Sequence, residues 1–207
     1  MKKVKIIPFR INHPNPFMMK DTVSEKNDAP RCDRDQVEHF RDNYEKILPP
    51  KVLCSIRRHN DILHGSRSVN MIVGPRYSRP AKDFDVYSSE PQKRAVEIEN
   101  QIDRACGCDM ASVRHRQIPK VLPGEEDPFM AKELFIVETV VNNDGDVDYM
   151  KTPKGLPTTR KNGIRHESLK EAYRKAHKNK NQPLRMVKAN ADIKRIEAYW
   201  RSKKRRK

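Results

Sequence analysis

The chain has 207 residues, of which 35% are hydrophobic and 35% are charged, and its formal net charge is +16. This length suits one domain with an appendage, and the low apolar fraction indicates surface extensions or tails outside a packed core. No apolar run is long enough to cross a bilayer, and prolines interrupt the short N-terminal apolar patch, so we expect neither a membrane protein nor a secreted one but an intracellular, cytoplasmic protein.

The excess positive charge is concentrated in the last quarter of the chain. From Arg160 to Lys207 there are 18 Lys and Arg against 4 Asp and Glu, which leaves +14. Such asymmetry favours an anionic polymer as partner, most simply nucleic acid, and a solubilising tail is the alternative. Residues 201–207 are expected to be a disordered polybasic tail.

The first third of the chain divides into an arm and a helix. Residues 1–32 contain four prolines and are predicted to be an irregular arm that contacts a surface or a partner protein. Apolar residues at helical spacing predict an amphipathic helix from Asp33 to Leu48, which Pro49-Pro50 would end. A short apolar element, Val52–Ile56, would follow.

Two strands and a turn make up the next stretch. Ile62–His64 reads as a short strand, Gly65-Ser66-Arg67 as a turn that starts a helix, and Asp83–Tyr87 as a second strand. Side chains alternate along a strand, so Asp83 and Asp85 lie on one face and repel each other. A hard divalent cation such as Mg²⁺ would explain that arrangement, and a helix N-terminus after Gly-Ser would bind phosphate.

A helix and a hairpin follow the second strand. Ser88 and Pro91 are predicted to start a helix that ends at Gly107, and residues 110–118 form a weak strand. The apolar run Leu134–Val141 is the strongest strand signal in the chain. The sequence Asn142-Asn143-Asp144-Gly145 is typical of a hairpin turn, and Asp146–Met150 would return as the partner strand.

The rest of the chain is predicted to be helical. A polar connection, 152–165, would lead to one helix at His166–Lys178 and a second at about Leu184–Lys203. Arg185 and Lys188 share a face of the second helix. They would either reach a substrate or form part of a solvated charged surface.

The four cysteines indicate no metal site. Cys106-Gly107-Cys108 is too tight for the usual zinc spacing, and Cys32 and Cys54 stand alone. Reduced, semi-buried thiols are expected, and the spacing counts against a zinc-binding nucleic-acid module.

The pattern of Gly65, Ser66, Asp83 and Asp85 resembles the nucleotidyltransferase superfamily, which has the DNA polymerase β-like fold. The family places a third carboxylate on a later strand, where Asp148 matches best and Asp146 is the rival. The Gly-Ser-Arg form is similar to small stand-alone, virus-borne and phage-borne members. The resemblance covers about residues 50–200, and the spacer between Ser66 and Asp83 is long for the family.

The resemblance implies an α/β (α+β) fold with a mixed sheet, flanking helices and a C-terminal helical pair. Its regions would be an arm at 1–32, a core at 33–159, a helical part at 160–200 and the tail. Asp83, Asp85 and Asp148 would hold Mg²⁺ or Mn²⁺ and transfer a nucleoside monophosphate from an NTP to a hydroxyl acceptor. The residues implied in nucleotide binding are Gly65, Ser66, Arg67, Arg185 and Lys188.

A second hypothesis comes from another functional class. The fold could be an inactive enzyme that serves as a basic nucleic-acid-binding or virion structural protein, as the arm and the basic tail suggest. The intact carboxylate set argues against it, because clustered acids have no evident use in a protein that only binds nucleic acid.

Overall fold

The computed structural model describes residues 29–117, 133–183 and 185–205, with only the backbone described at residues 143 and 144. The predicted arm up to residue 28 and the loop after residue 117 lie outside these ranges. The described helices are α1 (Arg34–Asp42), α2 (Tyr44–His59), α3 (Gly65–Val73), α4 (Pro91–Cys106), α5 (Leu169–Asn179) and α6 (Met186–Lys204).

The described strands form one mixed sheet in the order β3-β4-β5-β2-β1-β7-β6. The pairs β2–β5 and β1–β7 are parallel, and the other neighbours are antiparallel. The predicted α/β class with a mixed sheet is therefore confirmed. The strands are β1 (Ile62–His64), β2 (Phe84–Ser88), β3 (Ala111–Gln117), β4 (Glu133–Thr139), β5 (Asn142–Lys151), β6 (Thr158–Lys161) and β7 (Ile164–Glu167).

The main core lies between one face of the sheet and the helices α2 and α4. Phe84 and Val86 of β2 point into it, next to Val147 and Tyr149 of β5. The alternating residues Asp85 and Tyr87 therefore point to the opposite face. A second, smaller core joins α3 to the C-terminal helices through Val69, Ile72, Val73, Leu169 and Ile196.

The prediction that Pro49-Pro50 would end a helix is wrong. The chain breaks instead at Asn43, and α2 then runs from Tyr44 through both prolines to His59. Each proline removes one helical hydrogen bond near the beginning of the helix. Leu48, Val52 and Ile56 are fully buried along this helix, and that burial offsets the loss.

The predicted hairpin turn lies too late in the sequence. Thr139 pairs with Asn142, so the turn is at Val140 and Val141, and β5 has already begun at Asn142. Residues 143–146 stand opposite Glu138 alone and form a bulge, in which Gly145 has a φ of +98°. The Asn-Asn-Asp-Gly sequence thus serves a bulge, where positive φ is also needed.

The polar connection after β5 contains a hairpin that the sequence prediction missed. Strands β6 and β7 meet at Asn162-Gly163, whose φ angles are +52° and +74°. Asn-Gly is the strongest short hairpin signal, so it could have been found. The residues His166 and Glu167 belong to β7 rather than to a helix, and α5 begins after the N-cap residue Ser168.

Two described segments, one before α1 and one at the end of α6, differ from their predictions. Helix α6 continues to Lys204, so the first residues of the predicted polybasic tail are helical. Cys32 and Cys108 form a disulfide that ties the segment before α1 to the segment before β3, which corrects the expectation of four reduced thiols. Within the described ranges, none of the helices has the length and apolar character needed to cross a membrane.

Candidate active site

Three carboxylates converge on the face of the sheet opposite the main core. Asp83 immediately precedes β2, Asp85 lies on β2, and Asp148 lies on the parallel neighbour β5 directly opposite Asp85. One oxygen of each carboxylate lies within 4.8 Å of the others. Parallel pairing in register therefore assembles the cluster from residues distant in sequence.

The turn before α3 closes tightly over the cluster. Gly65 has a φ of +66°, and a Cβ atom at this position would lie 1.9 Å from Oδ2 of Asp85. Both the backbone conformation and the contact exclude any side chain. The glycine of the Gly-Ser pair is therefore required because the helix N-terminus packs directly against a carboxylate.

Asp85 and Asp148 are held in an environment that disfavours their charged forms. Burial, together with the charge of Asp83, raises the pKa of Asp85 to about 7, while the charge of Lys188 opposes the shift. Burial and the charge of Asp83 raise the pKa of Asp148 to about 6. In the described part of the chain, no side-chain hydrogen bond reaches any of the three carboxylates. Such a cluster fits a divalent cation, whose charge would relieve the repulsion.

Asp146, the rival third carboxylate, has a different function. It is fully buried and accepts hydrogen bonds from the Tyr44 hydroxyl at 2.6 Å and the Thr139 amide at 3.0 Å. The Asn142 side-chain amide donates a third bond at 2.9 Å. These donors satisfy Asp146 within the bulge, so Asp148 is the member of the cluster.

Arg67 supports the cluster from behind. Its guanidinium donates to the backbone carbonyls of Asp83 and Lys82, each at 3.1 Å, and lies 4.1 Å from the ring centroid of Phe84. Its Nε and Nη2 groups therefore fix the approach to β2. The contact of Arg67 with a nucleotide stays a prediction.

Ser66 belongs to a network that the sequence did not reveal. Its hydroxyl accepts a hydrogen bond from Arg79, whose Nε donates to Oδ1 of Asp192 at 2.9 Å. Arg195 donates to the same Asp192 oxygen at 2.8 Å. Asp192 on α6 thus holds the arginine that contacts the first turn of α3. Arg79 stands in an irregular segment, and no local pattern would have identified it.

The two predicted basic residues of the C-terminal helix differ in position. Lys188 is close enough to Asp85 for its positive charge to lower the pKa of that carboxyl. Arg185 is the exposed N-cap residue of α6. The structure therefore brings Lys188 near the cluster, and a contact of Arg185 with a nucleotide stays a prediction.

Comparison with known proteins adds one informative similarity. No protein-family model matches the sequence, and no curated protein matches it. The Megavirus polyadenylate synthase structure superposes on 86% of this chain with a TM-score of 0.54 and 15% identity. This protein has the nucleotidyltransferase fold. The chain spans only 40% of the length of the Megavirus protein.

A second similar structure overlaps more loosely. A Helicobacter pylori protein described as a nucleotidyltransferase superposes on 70% of this chain, and the chain covers 59% of it. The TM-score is 0.33 and the identity is 10%, so nothing is drawn from this superposition.

Within the nucleotidyltransferase fold, a second polar group adjoins the cluster on the same face. Lys175 on α5 donates to Glu167 at 2.5 Å and to the Tyr87 hydroxyl at 3.0 Å. The ring of His64 stacks on Tyr87 at 3.9 Å, and burial together with the charge of Lys175 lowers the pKa of His64. The sequence prediction missed this group because β7 was taken as part of a helix.

Two arginines on the edge strand β3 complete the surroundings. Arg114 lies opposite Ile136, which lies opposite Asp148, so all three point to one face of the sheet. The charges of Arg116 and Arg114 both lower the pKa of Asp148. This face of the sheet therefore combines a compact acidic cluster with positive charge toward the edge.

Proposed function

We propose that this protein is a metal-dependent nucleotidyltransferase that moves a nucleoside monophosphate from an NTP to a hydroxyl acceptor. The observation that carries the proposal is the convergence of Asp83, Asp85 and Asp148 beside the N-terminus of α3. A fold that only bound nucleic acid would gain nothing from burying three repelling carboxylates on its working face.

Asp83, Asp85 and Asp148 would hold the metal. A bound Mg²⁺ or Mn²⁺ ion supplies neutralisation of triphosphate charge and lowers the pKa of a coordinated hydroxyl. Because the pKa of Asp85 is raised to about 7, the cluster releases a proton when it becomes fully charged near neutral pH. Metal affinity is therefore expected to increase with pH up to about that value.

The chain's own groups would orient the triphosphate. Ser66 lies in the first turn of α3, where the backbone N–H groups are unpaired within the helix and favour a phosphate. Its hydroxyl accepts from Arg79, which leaves the hydroxyl proton available to a phosphate oxygen. Lys188 would add a positive charge on the opposite side of the cluster, and Asp148 would accept the acceptor's proton.

Positive charge also lies beside the cluster on β3. Arg114 there is paired with Glu138, whereas Arg116 adds positive charge near Asp148, and positive charge favours an acceptor that carries phosphates. Nucleic acid is therefore the acceptor class that this proposal favours. A protein partner for the N-terminal arm remains part of the proposal from the sequence alone.

The test is transfer of label from each α-labelled NTP, with Mg²⁺ or Mn²⁺, to a panel of RNA, protein and small-molecule acceptors. Wild type should label at least one acceptor class, and Asp148→Asn should not. The matched control is Asp109→Asn, which changes an exposed carboxyl outside the cluster and should keep wild-type activity. Absence of transfer with every NTP, together with retained nucleic-acid binding, would favour the inactive, binding-only hypothesis.

A further inference from the structure

A basic groove lies away from the carboxylates, between the short 3₁₀ turn Pro75–Tyr77 and the C-terminal half of α6. It consists of two cavities of about 390 and 270 Å³, which share Arg76, Tyr77 and Ser202 as walls. None of the described lining residues is acidic. The cationic lining residues are Arg76, Lys161, Arg201, Lys203 and Arg205.

The groove is distinct from the proposed catalytic site. Helix α3 connects the two, because Gly65 at its beginning touches Asp85 and Val73 at its end lines the groove. At a rise of 1.5 Å per residue, the helix separates them by about 12 Å. The groove is therefore separate from the carboxylate cluster.

The five cations differ in how firmly their side chains are held. Lys161 donates to the carbonyl of Ile72 at 2.8 Å, which caps the end of α3. Arg76 and Lys203 each lie over a tyrosine ring, 5.6 Å from the centroid of Tyr77 and 5.7 Å from that of Tyr199. Arg201 has an exposed contact with Glu197 at 3.7 Å, a type of pair that contributes little and exchanges readily. Among the described lining residues, Arg76, Arg201, Lys203 and Arg205 are therefore the cations that can turn to a ligand.

Aromatic rings line the groove among these arginines. Tyr77 packs edge-to-face on Tyr199 with centroids 6.1 Å apart, and the guanidinium of Arg76 lies 5.6 Å from the centroid of Tyr77. Tyr77 lines both cavities and remains partly exposed. Positive charges that follow a backbone and rings that stack on bases are the two components of single-strand binding sites.

We propose that this groove binds single-stranded nucleic acid, with phosphates at Arg76 and Arg201 and a base against Tyr77. The inference rests on the proposed function in one respect, namely that the bound strand is the acceptor. An anionic membrane is the weaker fit. The described apolar side chains exposed on α6, Met186 and Val187, are at its opposite end, so the groove has no apolar rim to enter a bilayer.

The experiment measures binding of the full chain to a fluorescent single-stranded RNA of about 15 nucleotides, near the upper site size of one small binding domain. Anisotropy is recorded without NTP or metal at several salt concentrations. The test variants are Arg76→Ala/Arg201→Ala and Tyr77→Leu. The controls are Arg34→Ala/Arg104→Ala, which removes two exposed arginines outside the groove, and Tyr77→Phe, which keeps the ring.

The double groove variant should bind at least about tenfold more weakly at low salt, and its log–log salt slope should fall by about 1.4, or 0.7 per lost phosphate contact. Tyr77→Leu should lose at least about fivefold, the lower limit for one stacked base, and Tyr77→Phe should bind like wild type. Equal losses in the groove and control double variants would overturn the proposal. The proposal would also be overturned if the groove variant bound RNA like wild type but no longer bound phosphatidylserine vesicles.

This outcome is separable from that of the proposed function. Asp85→Asn should abolish transfer and leave RNA binding in the groove intact. If wild type transfers label but its RNA binding does not depend on Arg76 and Arg201, the groove proposal alone is refuted. Groove-dependent binding without transfer would refute the catalytic proposal alone.

Discussion

Changing Asp85 to Asn removes one charge from the acidic cluster and keeps the shape of the side chain. In the native protein the pKa of Asp85 is raised from 3.8 to about 7, and burial is the largest cause. One pKa unit corresponds to 1.36 kcal/mol, so ionising Asp85 costs the native state up to about 4 kcal/mol. The variant avoids this cost.

The direction of the pH dependence follows from proton linkage. The unfolded chain releases the Asp85 proton near pH 3.8, and the native chain holds it until about pH 7. Between these values the native state binds more protons, so stability falls as pH rises and then levels off above pH 7. Asp148, with its pKa raised to about 6, contributes in the same direction.

The assay is urea unfolding at pH 5 and pH 8 in EDTA, repeated at pH 8 with Mg²⁺. Without metal, Asp85→Asn should be more stable than wild type at pH 8 by up to about 4 kcal/mol, with a smaller gain at pH 5. Mg²⁺ should stabilise wild type and have little effect on the variant. Asp109→Asn controls for the loss of an exposed carboxyl.

A lower stability of Asp85→Asn than of wild type at pH 8 in EDTA would contradict this prediction. That result would mean that the carboxylate accepts stabilising hydrogen bonds in the native state, as a structural acid does. If Mg²⁺ also leaves wild-type stability unchanged, the metal site itself would be refuted.

Three further changes test other parts of the structure. Gly65→Ala should reduce transfer at least about 100-fold, because a displacement of about 1 Å at Asp85 is enough for such a loss. Single-turnover rates measure this loss, and a near-normal rate would contradict the close packing of Gly65 on Asp85. Ser66→Ala should raise the KM for NTP about tenfold with a smaller change in kcat, which steady-state kinetics measures, since one hydrogen bond to a charged phosphate is lost. Cys32→Ser should lower the free energy of unfolding by roughly 2–4 kcal/mol, because the disulfide is lost. The control Cys54→Ser changes a free and exposed cysteine and should not lower it. Denaturation of both variants with and without reductant measures the difference.

The acidic cluster was predictable because each of its elements carries a local signal. Alternation alone places Asp83 and Asp85 on one face, and the Gly-Ser turn marks the helix start. The family resemblance favoured Asp148 over Asp146, but the residues alone did not decide between them. The choice depends on the bulge in β5, which turns Asp146 toward Tyr44, and Tyr44 is about a hundred positions away in sequence.

The errors in the fold have two physical sources. Local propensity was overruled by packing at Pro49-Pro50, where a buried apolar face continues on both sides. The hairpin β6–β7 was missed because its strands have only four residues each and are rich in charge. Because this hairpin was missed, Glu167 was not recognised as the acceptor of a hydrogen bond from Lys175 beside the site.

Deleting residues 201–207 would not isolate the contribution of positive charge, because part of this segment is helical. Arg201, Ser202 and Lys203 are part of α6 and line the basic groove, so their removal takes away a wall together with the charge. Point substitutions separate the two effects.

The pairing of Asp192 with Arg79 makes the C-terminal helix part of the candidate site. Asp192 accepts hydrogen bonds from Arg79 and from Arg195 of the same helix, and Arg195 in turn donates to Asn70 on α3. If α6 detached, Arg79 would lose its counter-charge and Asn70 would lose the hydrogen bond from Arg195, so the arginine that contacts Ser66 would no longer be held. Partial unfolding of the C-terminal end is therefore coupled to inactivation, and the described regions should melt in one cooperative transition with no active, truncated intermediate.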